Sequence, residues 1–329
     1  MSKISVIGAG AWGTALAQSL TMEHEVLLWA REAEVVDSIN NQQENTMFLP
    51  GVELNKNIQP TNDLEQAASN NMILLVTPAQ HVRAALKSLK NNLSDEKTIV
   101  ICAKGIEIET GHLMSQVADE ETPDATIAVL SGPTFASEIA RRLPSAVTIA
   151  AQNKDVAQDI REALASKMLR PYITDDMVGA QIGGAVKNVI AIACGIIMGR
   201  DMGESARAAL MTRGMAEMGR LATAMGGKKE TLMGMCGIGD VMLTCTSMQS
   251  RNYSLGVEIG QGRTLEEIMG TRRSVTEGVH TARALIVKAA KNAVDMPIAT
   301  AVHKCLSENM PIDLAIEQML ERPLRIETK

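Results

Sequence analysis

Aromatic side chains are scarce: the 329 residues include two Phe, two Tyr and two Trp. A stacking platform for single-stranded nucleic acid is therefore missing, and no basic run takes its place. The 32 Lys and Arg are outnumbered by 38 Asp and Glu, and the resulting formal charge of −6 opposes a phosphate backbone. Nucleic acid is not an expected partner. Five cysteines, at 102, 194, 236, 245 and 305, include no C-x-x-C pair and fit a reducing compartment better than a disulfide framework. The five histidines show no metal-ligand spacing, so no metal is expected. The longest apolar run, Val189 to Met198, is about half of the ~20 residues a spanning helix needs, so no membrane span is expected. The N-terminus also lacks a basic stretch followed by a hydrophobic run and a small-residue cleavage site. These absences together point to a cytoplasmic protein.

What is present is ordinary for a folded chain: 46% apolar and 21% charged residues. Leu, Ile, Val, Ala and 21 Met must fill the core, with Met as an adaptable filler. The length has room for about two domains. Short Val-, Ile- and Leu-rich runs recur at Ile4–Ile7, Glu25–Trp29, Met72–Thr77, Thr98–Ala103, Thr126–Leu130 and Ala146–Ala150, with amphipathic stretches such as Ala79–Asn91 and Met114–Glu121 between them. Continuous apolar strands joined by helical crossovers predict a doubly wound, mainly parallel sheet. Pro171–Thr174 is a candidate for one more strand. Beyond it, helical periodicity dominates at Met177–Met198, Ala206–Met225, Tyr253–Gly260, Val279–Asn292, Ala299–Glu308 and Asp313–Leu320. The expected fold is α/β plus all-α. A Rossmann-like dinucleotide-binding domain over 1–176 precedes a helical substrate and catalytic domain over 177–329.

The first strand runs into Gly8-Ala9-Gly10-Ala11-Trp12-Gly13. In such a turn Gly8 makes the bend, Gly10 lets backbone approach a pyrophosphate, and Gly13 lets the helix close on the strand. The helix N-terminus then offers unpaired N–H groups to the phosphates. G-x-G-x-x-G alone is a weak signal, but here it has the strand before it and the helix after it. After the second strand stands Arg31, where an NAD enzyme would usually carry an acid; Glu32 is its neighbour. NADP(H) is favoured and NAD(H) stays open.

Reduction of a carbonyl also needs a proton donor. Gly183 and Gly184 share a helix face with Lys187, and room beside them would admit a ligand. Partial burial would lower the Lys187 pKa and make it a better acid near neutral pH. Close helix packing through glycine, with the lysine stem lying along the surface, is an equally open reading. Ser131-Gly132-Pro133-Thr134 ends a strand, Lys104 follows another, and Ser250-Arg251-Asn252 precedes a helix, where a hydroxyl, a guanidinium and a helix N-terminus would converge on a phosphate. Each also reads as an ordinary loop or cap.

Taken together, V-I-G-A-G-A-W-G-T-A-L-A from Val6, A-K-G-I-E from Ala103, S-G-P-T-F-A from Ser131, G-G-A-V-K-N-V-I-A from Gly183, G-I-G-D from Gly237, L-T-C-T from Leu243 and S-R-N from Ser250 resemble the bacterial-type NAD(P)-dependent glycerol-3-phosphate dehydrogenases. The resemblance covers nearly the whole chain. It implies reversible reduction of dihydroxyacetone phosphate to sn-glycerol 3-phosphate for glycerophospholipid synthesis. It also implies Lys187 as proton donor and acceptor, with Lys104, Gly132, Thr134, Lys187, Asp240, Ser250, Arg251 and Asn252 on the substrate. Cofactor contacts carried over are Ala11, Trp12, Arg31, Lys104, Ala136, Arg251, Val275 and Glu277, beside Gly8, Gly10 and Gly13 of the fingerprint. Phe48 stands where some relatives have a tyrosine near the cofactor. Position 11 is often serine in the family; alanine here removes one hydroxyl contact and keeps the backbone N–H. A homodimer is compatible with the sequence, which does not specify one. Two other readings compete: a dehydrogenase of a keto acid such as ketopantoate, and a non-catalytic sensor that binds a dinucleotide. The S-R-N segment suits a phosphate better than a plain carboxylate, and a sensor needs neither Lys187 nor Asp240.

Overall fold

The computed structural model describes residues 2–93, 97–272 and 276–323. Eight strands form one sheet: β1 (Lys3–Ile7), β2 (Glu25–Trp29), β3 (Ile58–Thr61), β4 (Met72–Leu75), β5 (Thr98–Ile101), β6 (Thr126–Ser131), β7 (Ser145–Ala150) and β8 (Leu169–Thr174), in the order β3-β2-β1-β4-β5-β6-β7-β8. All neighbours are parallel except β6 and β7. β3 escapes the sequence pattern because Gln59 and Pro60 interrupt its apolar run. A proline that cannot donate to a ladder is tolerated there because β3 is an edge strand.

β1 lies between β2, with Ile7 opposite Trp29, and β4, with Ile7 opposite Leu75. The strand order reverses at this point, and open α/β sheets bind ligands in the crevice outside such a reversal. Apolar side chains on the two sheet faces build two clusters of the core.

A third cluster surrounds the central helix, Met177–Gly199, which is separated from β8 by two residues and is buried from Gly179 to Ile196. Asp176 caps it by accepting from the Gly179 N–H at 2.8 Å. At 23 residues it is long and apolar enough to cross a membrane, yet 83% of its apolar window is buried within the structure. It is a core helix wrapped by others. The helical run expected over Met177–Met198 matches it; the uninterrupted apolar stretch is shorter because Gln181, Lys187 and Asn188 break the hydrophobicity, and all three are buried.

The helix Arg251–Gly260 runs alongside it through four glycines. A Cβ at Gly195 would lie 2.2 Å from the Tyr253 carbonyl oxygen, and one at Gly256 would lie 2.1 Å from that of Ile192. No side chain fits between the two backbones. That contact sets the N-terminus of Arg251–Gly260 beside Asn188, one residue beyond Lys187.

Candidate active site

The glycine turn joins β1 to the helix Ala11–Leu20 at the reversal. Gly8 has φ +116°, and a Cβ there would press on the Val76 backbone at 3.0 Å. A Cβ at Gly13 would lie 1.8 Å from the Gly8 carbonyl oxygen, so helix and turn close on each other only through glycine. At Gly10, by contrast, a Cβ would meet nothing within 4 Å. Gly10 is the N-cap and makes no side-chain cap, so the N–H groups of the first turn are left for a ligand. Trp12 Nε1 is buried without a partner among the described residues. Open space above an uncapped helix N-terminus fits a dinucleotide pyrophosphate.

Arg31 stands at the end of β2 with a side chain 76% exposed, its guanidinium 2.7 Å from Glu32 Oε1. Phe48 packs against the apolar cluster beneath the turn, as do Ala11, Trp12 and Ala136, the first residue of the helix Ala136–Ala140. Val275 lies outside the described residues.

The second group gathers around Asp240, the first residue of the helix Asp240–Thr244, which follows a single π-helical turn at Met235–Gly239. Asp240 has no solvent exposure. Lys104 Nζ lies 2.7 Å from its Oδ2 and also donates to the Gly132 carbonyl at 2.8 Å. Lys187 Nζ lies 2.5 Å from its Oδ1 and donates to Thr244 Oγ1 at 2.9 Å. Burial lowers the Lys187 pKa to about 8, with the Lys104 charge adding to the fall and Asp240 opposing it. For Asp240, burial pushes upward, but the two ammonium groups outweigh it and hold the carboxyl below its ordinary value. The ion triad carries a net positive charge.

The paired glycines turn out to serve packing. A Cβ at Gly183 would lie 2.2 Å from the Cys236 carbonyl oxygen, and one at Gly184 would lie 2.8 Å from Ser131 Oγ and 3.3 Å from Lys104 Cγ. The space beside them is filled by protein, not left for a ligand. This closeness is what lets Asp240 and Lys104 reach Lys187. Gly132 serves likewise, since a Cβ there would lie 2.9 Å from Val147 Cα. Thr134 Oγ1 is 3.5 Å from the Gly132 oxygen.

Ser250 is the N-cap of its helix, accepting from the Tyr253 N–H at 3.2 Å. Asn252 is buried, donating to Asn188 Oδ1 at 2.9 Å and accepting from the Gly278 N–H at 3.0 Å. Arg251 is exposed at the helix start, and its guanidinium makes no hydrogen bond among the described residues. Glu277 begins the helix Glu277–Lys291, where its Oε1 accepts from the Ala79 N–H at 3.2 Å and its Oε2 is buried without a partner among the described residues. Burial pushes its pKa up, against the pull of Arg251. A Cβ at Gly105, next to Lys104, would lie 3.6 Å from Glu277 Oε2. Asn252 thus links Asn188, the neighbour of Lys187, to Gly278, the neighbour of Glu277, while Lys104 and Lys187 meet at Asp240. Among the described residues Arg31 is bonded to Glu32 and to none of these groups.

Two residues to which the sequence reading gave no role stand out, Thr244 of the L-T-C-T segment and Asn45. Thr244 accepts from Lys187 and lies 3.1 Å from Asp240 Oδ1; its spacing of four from Asp240 on one helix was the available signal. Asn45 is fully buried against the glycine turn, and no motif marks it.

The chain matches the family models for the NAD-dependent glycerol-3-phosphate dehydrogenase N-terminus over residues 3–157 and C-terminus over residues 176–317. It is 52% identical over 327 residues to the glycerol-3-phosphate dehydrogenase [NAD(P)+] of Parvibaculum lavamentivorans, covering 99% of this chain and 98% of that one. Among solved structures, glycerol-3-phosphate dehydrogenase from Coxiella burnetii superposes with a TM-score of 0.94 at 36% identity, covering 98% of this chain and 99% of the other. A ketopantoate reductase from Ralstonia eutropha shares the fold alone, with a TM-score of 0.61 at 14% identity, covering 97% of this chain and 100% of that one.

Proposed function

The chain belongs to the NAD-dependent glycerol-3-phosphate dehydrogenase family, and from that membership we infer that it reversibly reduces dihydroxyacetone phosphate to sn-glycerol 3-phosphate. The product is the entry to glycerophospholipid synthesis. Residues 1–176 hold the dinucleotide and residues 177–329 supply most of the substrate site. The observation that carries the chemistry is the buried Lys187 ammonium, paired with an ionised Asp240.

The cofactor is NAD(P)(H), held at Gly8, Gly10, Ala11, Trp12 and Gly13 on the pyrophosphate side. Phe48 and Ala136 line this part, and Glu277 lies toward the reacting end; Val275 keeps the cofactor role that the family resemblance implies. Arg31 reads the 2′-phosphate, which favours NADP(H). When bound, the reduced nicotinamide supplies the hydride to the ketone carbon.

Lys187 then gives its proton to the carbonyl oxygen as negative charge develops there, and in the reverse direction the neutral amine takes the hydroxyl proton. Asp240 keeps that ammonium oriented and keeps its pKa from falling further. Lys104, Gly132 and Thr134 line the substrate beside Lys187, and the excess positive charge of the triad draws in a phosphorylated substrate. Ser250, Arg251 and Asn252 receive the phosphate at a helix N-terminus, with Arg251 as an exposed cation whose guanidinium makes no hydrogen bond among the described residues. One chain supplies every residue named, so a homodimer would be an assembly of complete sites. The five free thiols suit a reducing compartment, and we assign the enzyme to the cytoplasm on that ground.

The test is oxidation of NADPH and of NADH in the presence of dihydroxyacetone phosphate, with ketopantoate as a parallel substrate. Turnover with the phosphorylated ketone is expected with either cofactor, and faster with NADPH at low concentration. Turnover with ketopantoate alone would transfer the chain to the other dehydrogenase reading.

A further inference from the structure

The glycine turn is held from behind by a side chain that belongs to no motif. Asn45 sits in the segment 43–55 that follows the helix Ala33–Gln42, and it is fully buried. Its Nδ2 donates to the Ala9 carbonyl oxygen at 2.9 Å and to Thr14 Oγ1 at 2.8 Å. Thr14 Oγ1 donates in turn to the same Ala9 oxygen at 3.3 Å. The Oδ1 of Asn45 accepts from the Phe48 N–H at 3.0 Å. Each end of the amide is therefore used, and its two donors are divided between the turn and the first helix.

The rest of the segment is tied to the same two helices. Gln18, on Ala11–Leu20, donates to the Glu53 carbonyl at 3.2 Å and accepts from the Asn55 N–H at 2.8 Å. Ser38, on Ala33–Gln42, donates to the Glu44 carbonyl at 2.5 Å and shares a 3.0 Å hydrogen bond with Thr46 Oγ1. The segment is a fixed strap, and Asn45 is its contact with the turn.

We propose that Asn45 is a positioning residue for the cofactor, acting through the peptide between Ala9 and Gly10. A trans peptide points its C=O and N–H in opposite directions. Two donors hold the Ala9 oxygen inward, so the Gly10 N–H is directed outward, over the open space where a Cβ on Gly10 would meet nothing within 4 Å. Released from Asn45, this peptide would be free to rotate. It would then present a carbonyl oxygen, with its partial negative charge, where a pyrophosphate must bind. The bond to the Phe48 N–H seats that residue on the same structure, so the turn and the strap move as one unit. This inference rests on reading the turn as the dinucleotide site.

The test compares the unmodified enzyme with Asn45→Asp, Asn45→Ala and Thr14→Val. The aspartate keeps the shape and the acceptor for Phe48, loses both donors, and sets a charged oxygen against the Ala9 carbonyl. Its KM for NADPH should rise about 10-fold or more, the weight of a hydrogen bond to a charged group. Its KM for dihydroxyacetone phosphate should stay within roughly two-fold, since that binding energy lies elsewhere. Two inhibitors locate the effect. Binding of 2′-phospho-ADP-ribose, which contains the pyrophosphate, should weaken, whereas adenosine 2′-phosphate, which lacks it, should bind as before. Asn45→Ala and Thr14→Val should show the same selectivity with smaller losses. A folded Asn45→Asp enzyme that binds both inhibitors normally overturns the proposal, as does equal weakening of both, which would mark a purely structural role. Should Asn45→Asp not fold, Thr14→Val is judged by the same selectivity. Failure of the unmodified enzyme to bind 2′-phospho-ADP-ribose would overturn the cofactor reading together with it.

Discussion

The ammonium of Lys187 lies 2.5 Å from Oδ1 of Asp240, a carboxylate with no exposure to solvent, while the other oxygen of that carboxylate holds Lys104. Burial alone would strip the proton from Lys187 far below its ordinary range; Asp240 limits the fall to about 8. Near neutral pH the group is thus mostly an acid, yet close enough to its pKa to act as a base in reverse.

The pH dependence follows in sign. Ketone reduction needs protonated Lys187, so its rate should decline as pH rises through about 8, and alcohol oxidation should increase through the same range. Lys187→Ala should lower turnover by about 10²–10⁴-fold and abolish that dependence, with little change in cofactor affinity. Initial rates in both directions from pH 6 to 10 check this; near-normal turnover by the variant would remove Lys187 from the chemistry.

Asp240→Asn removes the charge that supports two ammonium groups. Lys187 should then lose its proton more readily, moving the basic limb of the reduction profile to lower pH. Leaving the buried Lys187 and the half-buried Lys104 without their counter-charge should also destabilise the fold by about 3–5 kcal/mol. Denaturant unfolding and the pH–rate profile measure the two effects separately, and an unmoved basic limb in a folded variant would contradict the coupling.

Among the described residues the Arg31 guanidinium is bound to its neighbour Glu32 alone. Arg31→Ala should raise the KM for NADPH roughly 10-fold while leaving that for NADH nearly unchanged, as expected for a lost contact to the 2′-phosphate. Glu32→Gln should do the reverse for NADPH by releasing the guanidinium. Equal shifts for both cofactors would show that Arg31 does not read the 2′-phosphate.

Arg251 is exposed at its helix start, and its guanidinium makes no hydrogen bond among the described residues. Arg251→Ala should narrow the difference in kcat/KM between dihydroxyacetone phosphate and dihydroxyacetone, because the anchor also orients the ketone. A cofactor defect would lower both alike, so the ratio between the substrates is decisive. An unchanged ratio would leave S-R-N as a helix cap.

Away from the site, Glu217 is buried and accepts from the Ile298 N–H at 2.8 Å, at the start of the helix Pro297–Ser307. Burial pushes its pKa up to about 7, with the backbone N–H groups opposing. A carboxyl whose pKa is raised on folding stabilises the fold below its unfolded value and loses that contribution as pH climbs through the folded one. Between pH 4.5 and about 7 the loss should be at most about 3 kcal/mol. Glu217→Gln should flatten the fall in melting temperature over this window; identical slopes would show that Glu217 ionises freely.

Much of the scaffold was readable because the demands on it are local. Val-, Ile- and Leu-rich runs mark strands buried on two faces wherever they lie, and Gly8, Gly10 and Gly13 answer to the geometry of a single turn. β3 was not readable, because an edge strand can dispense with the very pattern that identifies the others. The face carrying Gly183, Gly184 and Lys187 was legible as a face, but its purpose was not. Ligand space and close packing write the same residues, and only the approach of Cys236 and Lys104 decided for packing.

The sequence by itself determined the class of fold, the family, and the residue types needed for proton transfer and phosphate binding. Tertiary structure alone decided which of them meet: Asp240 pairs with Lys104 across 136 positions and with Lys187 across 53. It also decided how they ionise, since the same lysine in water would keep its proton to far higher pH. Asn45 shows the limit most plainly. It lies 36 residues from the carbonyl it holds, and a lone asparagine in a connecting segment has no periodicity to betray it. Periodicity records which way a side chain faces, whereas a hydrogen bond across the fold depends on what the rest of the chain brings to meet it.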